Sequence, residues 1–104
     1  MTLLNNTAAY KIWIFAPYLE TEDPTLKFYY DYTQSIEEYT RVFAEINCEW
    51  EWVNVTVHNI AESIERVKQY SDKESIVLNL CDGDEINNVP GVSVIHALDQ
   101  SGIT

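Results

Sequence analysis

Two acidic stretches hold the side chains best suited to chemistry in this sequence. Glu20, Glu22 and Asp23 follow an apolar run that closes at Pro17, and Asp82-Gly83-Asp84-Glu85-Ile86-Asn87-Asn88 follows another that closes at Cys81. Carboxylates lining a mouth suit a cationic group, an amine or a metal ion, because a concave surface of one sign concentrates the opposite charge. Glu20, Glu22, Asp82 and Asp84 are therefore the candidate substrate-binding residues. The cluster Phe28-Tyr29-Tyr30-Asp31-Tyr32 lies between the two stretches in sequence and reads as a lid packed on its neighbours rather than a ligand cage. Composition supplies a plainer source of acidity. The 104 residues include 17 Asp and Glu against 6 Lys and Arg, a formal net charge of −11.

That balance argues against nucleic acid as a partner, since phosphate binding relies on basic side chains. It disfavours an anionic membrane surface in the same way. The apolar runs fall well short of the ~20 residues a membrane span requires, and MTLLNNTAAYK has neither the basic start nor the apolar stretch of a secretory signal. A cytoplasmic protein is expected, with Cys48 and Cys81 as free thiols.

Several chemistries lack their residues. No G-x-G-x-x-G follows the first apolar run and no G-x-x-x-x-G-K-[ST] occurs, and 3 glycines leave little for a phosphate cradle. Asp82-Gly83-Asp84-Glu85 has a faint calcium-loop look without the remaining ligand pattern. His58 and His96 fall on different predicted elements, and neither stands by a cysteine at metal-ligand spacing. Cys81 and His96 lack an evident orienting third group. No catalytic or metal-ligating set is assigned.

The elements that must carry these loops alternate. Tyr10–Ala16 is a nearly continuous apolar run, as in a strand covered on both faces. Trp50–Val57 alternates more cleanly and suits a more exposed strand, and Ser75–Cys81 is again mostly apolar. Ile36, Tyr39, Phe43 and Ile46 recur as one helical stripe, with Ser35 and Glu38 as a capping box. Ile60, Ile64 and Val67 form a second stripe behind Asn59. Pro90 opens a last helix with Ile95 and Leu98 on its apolar side and Gly102 as its stop. The order β-α-β-α-β-α predicts an open three-layer α/β sheet of mainly parallel strands, Rossmann-like, in a single domain over residues 1–104 with 1–9 flexible. A fourth strand is expected after Gly102, so the chain reads as interrupted there and as the opening part of a longer protein.

The stretch Ile76-Val77-Leu78-Asn79-Leu80-Cys81-Asp82-Gly83, then Val89-Pro90-Gly91 and Ile95 to Thr104, resembles the close of the N-terminal, pre-ATP-grasp domain of ATP-grasp ligases such as the D-alanine–D-alanine ligases. The likeness follows element order over nearly all the chain, and its specific part is the C-terminal region. Where those ligases carry a glycine-rich turn after the first strand, this chain has Ala16-Pro17-Tyr18-Leu19. The resemblance implies a substrate-side domain of an ATP-dependent carboxylate–amine ligase, not catalytic alone, that holds a small amino-acid-like substrate. Its partners would be the remainder of the ligase or a second copy. ATP and magnesium are expected for the full-length enzyme and no cofactor for this chain. The alternative is a stand-alone acidic protein-interaction module.

Overall fold

A computed structural model describes residues 9–103. Three strands, β1 (Tyr10–Pro17), β2 (Glu49–Val55) and β3 (Glu74–Asn79), form one sheet in the order β2-β1-β3. Both pairings are parallel: Ile14 of β1 stands beside Trp52 of β2 and Leu78 of β3. The helices are α1 (Pro24–Tyr29), α2 (Thr33–Glu45), α3 (Ile60–Gln69) and α4 (Val92–Ser101), with a single 3₁₀ turn at Glu85–Asn87. The expected α/β class and open parallel sheet are present. The flexibility expected of residues 1–9 falls, apart from Ala9, outside the described residues.

Strand side chains alternate between faces, and each face has its own helices. Trp13 and Phe15 join Val53, Val55, Ile64, Val67, Cys81 and Val94 in the main core, under α3 and α4. The opposite face is aromatic. Tyr39 and Phe43 of α2 lie over Trp50 and Trp52, with ring centroids 5.3 Å apart for Phe43–Trp50 and 5.8 Å for Tyr39–Trp52. Three layers result. β1 runs through the centre, and Ile14, Phe15 and Ala16 are each 0% exposed.

A charge is buried at the amino end of β1. Lys11 Nζ lies 3.1 Å from Glu51 and 3.6 Å from Glu49, and 3.9 Å from the centre of the Trp13 ring. Tyr70 donates to Glu49 at 2.7 Å, and Lys73 pairs with the same carboxylate at 3.3 Å. The ammonium is thus paired and faced by rings, as a buried cation requires.

The element boundaries depart from the sequence reading for local reasons. β2 ends at Val55 because the Thr56 amide donates to Asn59 Oδ1 at 2.8 Å, which turns the chain. β3 ends at Asn79, whose side chain accepts from the Cys81 amide at 3.0 Å. Ser35 does not cap α2. Asp31 does so from outside, accepting from the Thr33 amide at 3.0 Å. Asn59 does occupy the N-cap position of α3, although its side chain bonds back to the strand end. β3 is less covered than its composition implied, because among the described residues no strand flanks its outer side: Leu78 is 42% exposed, as is Leu80 just beyond the strand at 37%.

The last helix is turned relative to expectation. Val94 is fully buried with Ala97 and Leu98 beside the core, whereas Ile95 is 54% exposed. Gly102 ends the helix in the left-handed region at φ 76°. Val94→Ala is expected to cost about 2 kcal/mol in urea unfolding, and Ile95→Ala to stay within about 0.5 kcal/mol. Equal losses at both positions would contradict this helix orientation.

Candidate functional site

Parallel strands gather their carboxyl ends on one side. The chain leaves β1 toward β2, while β3 lies on the other flank, so strand order reverses between β1 and β3. Such a switch point opens a crevice between the departing loops. Here it holds a cleft of about 570 Å³ lined by Pro17, Tyr29, Tyr30, Tyr32, Asp82, Gly83, Asp84, Asn87 and Val89. A hollow of similar volume at Gln34 to Arg41 is bordered by α2 alone and lacks a second wall.

The aromatic wall is built by two caps. Asp23 Oδ1 accepts from the Thr25 amide at 2.8 Å, and Pro24 follows at the first helical position. The pair starts α1 inside what the sequence presented as a long loop. α1 and the turn after it carry Tyr29 and Tyr30, with ring centroids 5.0 Å apart and edge to face. Asp31 also accepts from Thr33 Oγ1 at 2.6 Å, and these bonds hold its carboxyl below the ordinary range. Tyr32 joins the wall to the sheet. Its ring packs on Trp52 at 5.2 Å, and its hydroxyl donates to the Pro17 carbonyl. Burial foremost, then the neighbouring Tyr30, Cys81, Tyr29 and Asp82, push that phenol up to about 12. It is therefore a neutral donor over the physiological range.

The acidic wall is a close-packed loop. The Gly83 amide donates to the Pro90 carbonyl at 2.9 Å. A Cβ on Gly83 would stand 2.2 Å from Val89 Cγ1, and one on Gly91 would stand 2.3 Å from the Gly83 carbonyl oxygen. Only glycine permits this approach. Asp84 accepts from the Ile86 amide at 3.0 Å and from Asn87 Nδ2 at 2.7 Å, shaping the 3₁₀ turn. Glu85 reaches forward to the start of α4. It accepts from the Gly91 amide at 3.1 Å, the Ser93 amide at 3.2 Å and Ser93 Oγ at 2.7 Å. Those bonds, that from the Ser93 hydroxyl foremost, hold its carboxyl below the usual glutamate range.

The four candidate acids are therefore dispersed. Asp82 and Asp84 share the cleft, and no residue lining it is basic. Asp84 is occupied with its own turn, which leaves the exposed Asp82 as the available carboxylate at the mouth. Glu20 lines a neighbouring recess of about 270 Å³ with Tyr18, His58 and Asn88. Glu22 pairs with Lys27 at 3.3 Å on the open surface. The first loop thus supplies tyrosines to the cleft rather than acids. The Asp23-Pro24 pair is the sequence signal that could have revealed the helix carrying Tyr29.

Cys81 is 3% exposed and donates to the Phe15 carbonyl at 3.7 Å. Burial foremost, with the nearby Asp82 charge, pushes its thiol up to about 12, so it is held as the un-ionised thiol. His96 is exposed on α4. Among the described residues no group of His, Cys, Asp or Glu is arranged to hold a metal ion. The turn after β1, Pro17-Tyr18-Leu19, contains no glycine to cradle a phosphate. Among the described residues, neither the strand-end turn after β1 nor the acidic loop after β3 is built as a phosphate or magnesium site. No helix among the described residues is long and apolar enough to cross a membrane.

Comparisons with protein-family models, with curated proteins and with solved structures find no match to this chain.

Because the folded pKa of Glu85 is depressed, its capping stabilises fully above the unfolded value of about 4.3 and is lost as pH falls through the lower folded value. Glu85→Gln should lower the melting temperature at pH 7, with the gap to the unmodified protein closing below about pH 4. A gap independent of pH in a thermal-melt series would refute the charged cap. Gly91→Ala should cost about 1–3 kcal/mol in urea unfolding through its collision with the Gly83 carbonyl.

Proposed function

We propose that this chain is a ligand-holding domain whose cleft between the β1 and β3 ends receives a small amine-bearing, amino-acid-like molecule. The observation that carries this reading is the pairing of a free carboxylate, Asp82, with Tyr29, Tyr30 and Tyr32 in one cleft without a basic residue. Tyrosine faces and a carboxylate both favour an ammonium group, and the crevice excludes part of the competing water. A carboxylate-only ligand would meet repulsion from Asp82 and Asp84.

Within that reading, the chain is the substrate-side domain of an ATP-grasp carboxylate–amine ligase, similar to the D-alanine–D-alanine ligases. The parallel α/β sheet and the strand-end cleft support this assignment. Nucleotide and magnesium would then belong to other domains of the enzyme, since neither strand-end loop here is built for them. The enzyme would form an acyl phosphate on one substrate and let the amine of a second displace the phosphate. The free thiols Cys48 and Cys81 support a cytoplasmic setting.

Titration of the chain with alanine, propylamine and propionate, followed by NMR, tests the cleft. Alanine and propylamine should shift the signals of Tyr29 to Tyr32 and Asp82 to Asn87, and propionate should not. Asp82→Asn should weaken the amines roughly tenfold, a loss of about 1.4 kcal/mol, and added salt should weaken them further. Equal binding of propionate, or indifference to Asp82→Asn, would overturn the cleft assignment. The coding sequence beyond Thr104 tests the ligase assignment separately: a lysine-bearing nucleotide fold supports it and a stop codon overturns it.

A further inference from the structure

We infer that the ligand of the strand-end cleft carries a second ammonium group, held by Glu20 in the neighbouring recess. This rests on the cleft reading above and narrows its ligand to a diamino compound, an alkyl chain with an amine toward each end.

The two hollows flank the end of β1 and share a boundary. The Tyr18 amide donates to the Val55 carbonyl at 2.8 Å, which sets the recess between the ends of β1 and β2. Tyr18 lines the recess and Tyr30 the cleft, and their rings meet edge to face with centroids 6.2 Å apart. Asn87 lines the cleft and its successor Asn88 the recess. The chain turns there through the left-handed conformation of Asn88, at φ 66°. A short alkyl chain leaving the cleft over the Tyr18–Tyr30 contact therefore enters the recess.

The lining of the recess matches an ammonium group, which offers three N–H donors and accepts none. Glu20, Thr56 and Asn88 supply acceptors. Among the described residues neither the Glu20 carboxylate nor the Asn88 side chain has a hydrogen-bond or ion-pair partner. Thr56 is 5% exposed, and its Oγ1 accepts from the His58 amide at 3.2 Å. That buried hydroxyl keeps a second lone pair that no described residue uses, and a ligand can complete it. Tyr18 adds an aromatic ring, which attracts a cation as the cleft tyrosines do. His58, exposed at the rim, offers a further acceptor as the neutral imidazole. A carboxylate reaching the recess would meet Glu20 instead. A tyrosine and an unpaired carboxylate thus stand on both sides of the β1 end, Asp82 with Tyr30 and Glu20 with Tyr18.

NMR titration of the full chain with butylamine and hexylamine, and with the matching diaminobutane and diaminohexane, tests the second subsite. The monoamines should shift Tyr29 to Tyr32 and Asp82 to Asn87. At least one diamine should also shift Tyr18, Glu20, His58 and Asn88. It should bind about tenfold more tightly than its monoamine, because a second anchor on one chain engages at high effective concentration. Glu20→Gln should abolish that advantage and leave the monoamines unchanged. Glu22→Gln removes the same charge from the same loop but outside both hollows, and should preserve it. The two variants together separate the recess from the general attraction of a chain of net charge −11. If neither diamine exceeds its monoamine while the monoamines still shift the cleft, the second subsite is overturned and the cleft stands. An advantage lost equally in Glu20→Gln and Glu22→Gln would overturn it as well. Silence of the cleft toward every amine would overturn both readings.

Discussion

Burial of the Trp13–Ala16 stretch of β1 between two parallel neighbours is the constraint on which the molecule rests. Ile14, Phe15 and Ala16 are each 0% exposed, and their backbone groups find partners in the flanking strands. A strand dry on both faces demands a helical layer on each side. One layer is aliphatic, α3 and α4 over Val53, Val55 and Phe15, and the other is aromatic, α2 over Trp50 and Trp52. The parallel direction then gathers the strand ends. The acidic loop after β3 and the tyrosines after β1 meet there because β1 and β3 are neighbours, although some 50 residues of sequence separate Tyr32 from Asp82.

Tyr32 couples the sheet to the cleft. Its ring belongs to the aromatic layer through Trp52, while its hydroxyl closes on the Pro17 carbonyl at the end of β1. A half-buried phenol with one satisfied bond is held in place, because moving it would leave a polar group without a partner. The opposite wall is fixed differently, by backbone approach at Gly83 and Gly91 and by the Glu85 carboxylate on α4. A cleft held rigidly on both sides loses little freedom when a small ligand enters.

Much of the fold was legible because hydrophobic periodicity records burial directly. The stripe Ile60, Ile64, Val67 and the unbroken run in β1 stand where their patterns placed them. The misreadings share a cause. Ile95 and Val94 are adjacent and similarly apolar, and only the docking of α4 on the core decides which turns inward. β3 resembled a doubly covered strand because a strand flanked on one side and one flanked on both can have the same composition. The cap at Asp31 was missed because Ser35 and Glu38 offered the commoner motif two residues into the helix.

The amino-acid sequence by itself determined the α/β class, the alternation of elements, the acidity of the strand-end loops and the lack of a phosphate-binding turn. Each of these depends on residue type and near-neighbour spacing. Only the tertiary structure decided which acids share a cleft. Asp82 and Asp84 came together with Tyr29, Tyr30 and Tyr32, while Glu20 entered a separate recess and Glu22 turned to Lys27. Strand order and the direction of loop packing are set by contacts between distant residues, and those contacts leave no trace in local pattern.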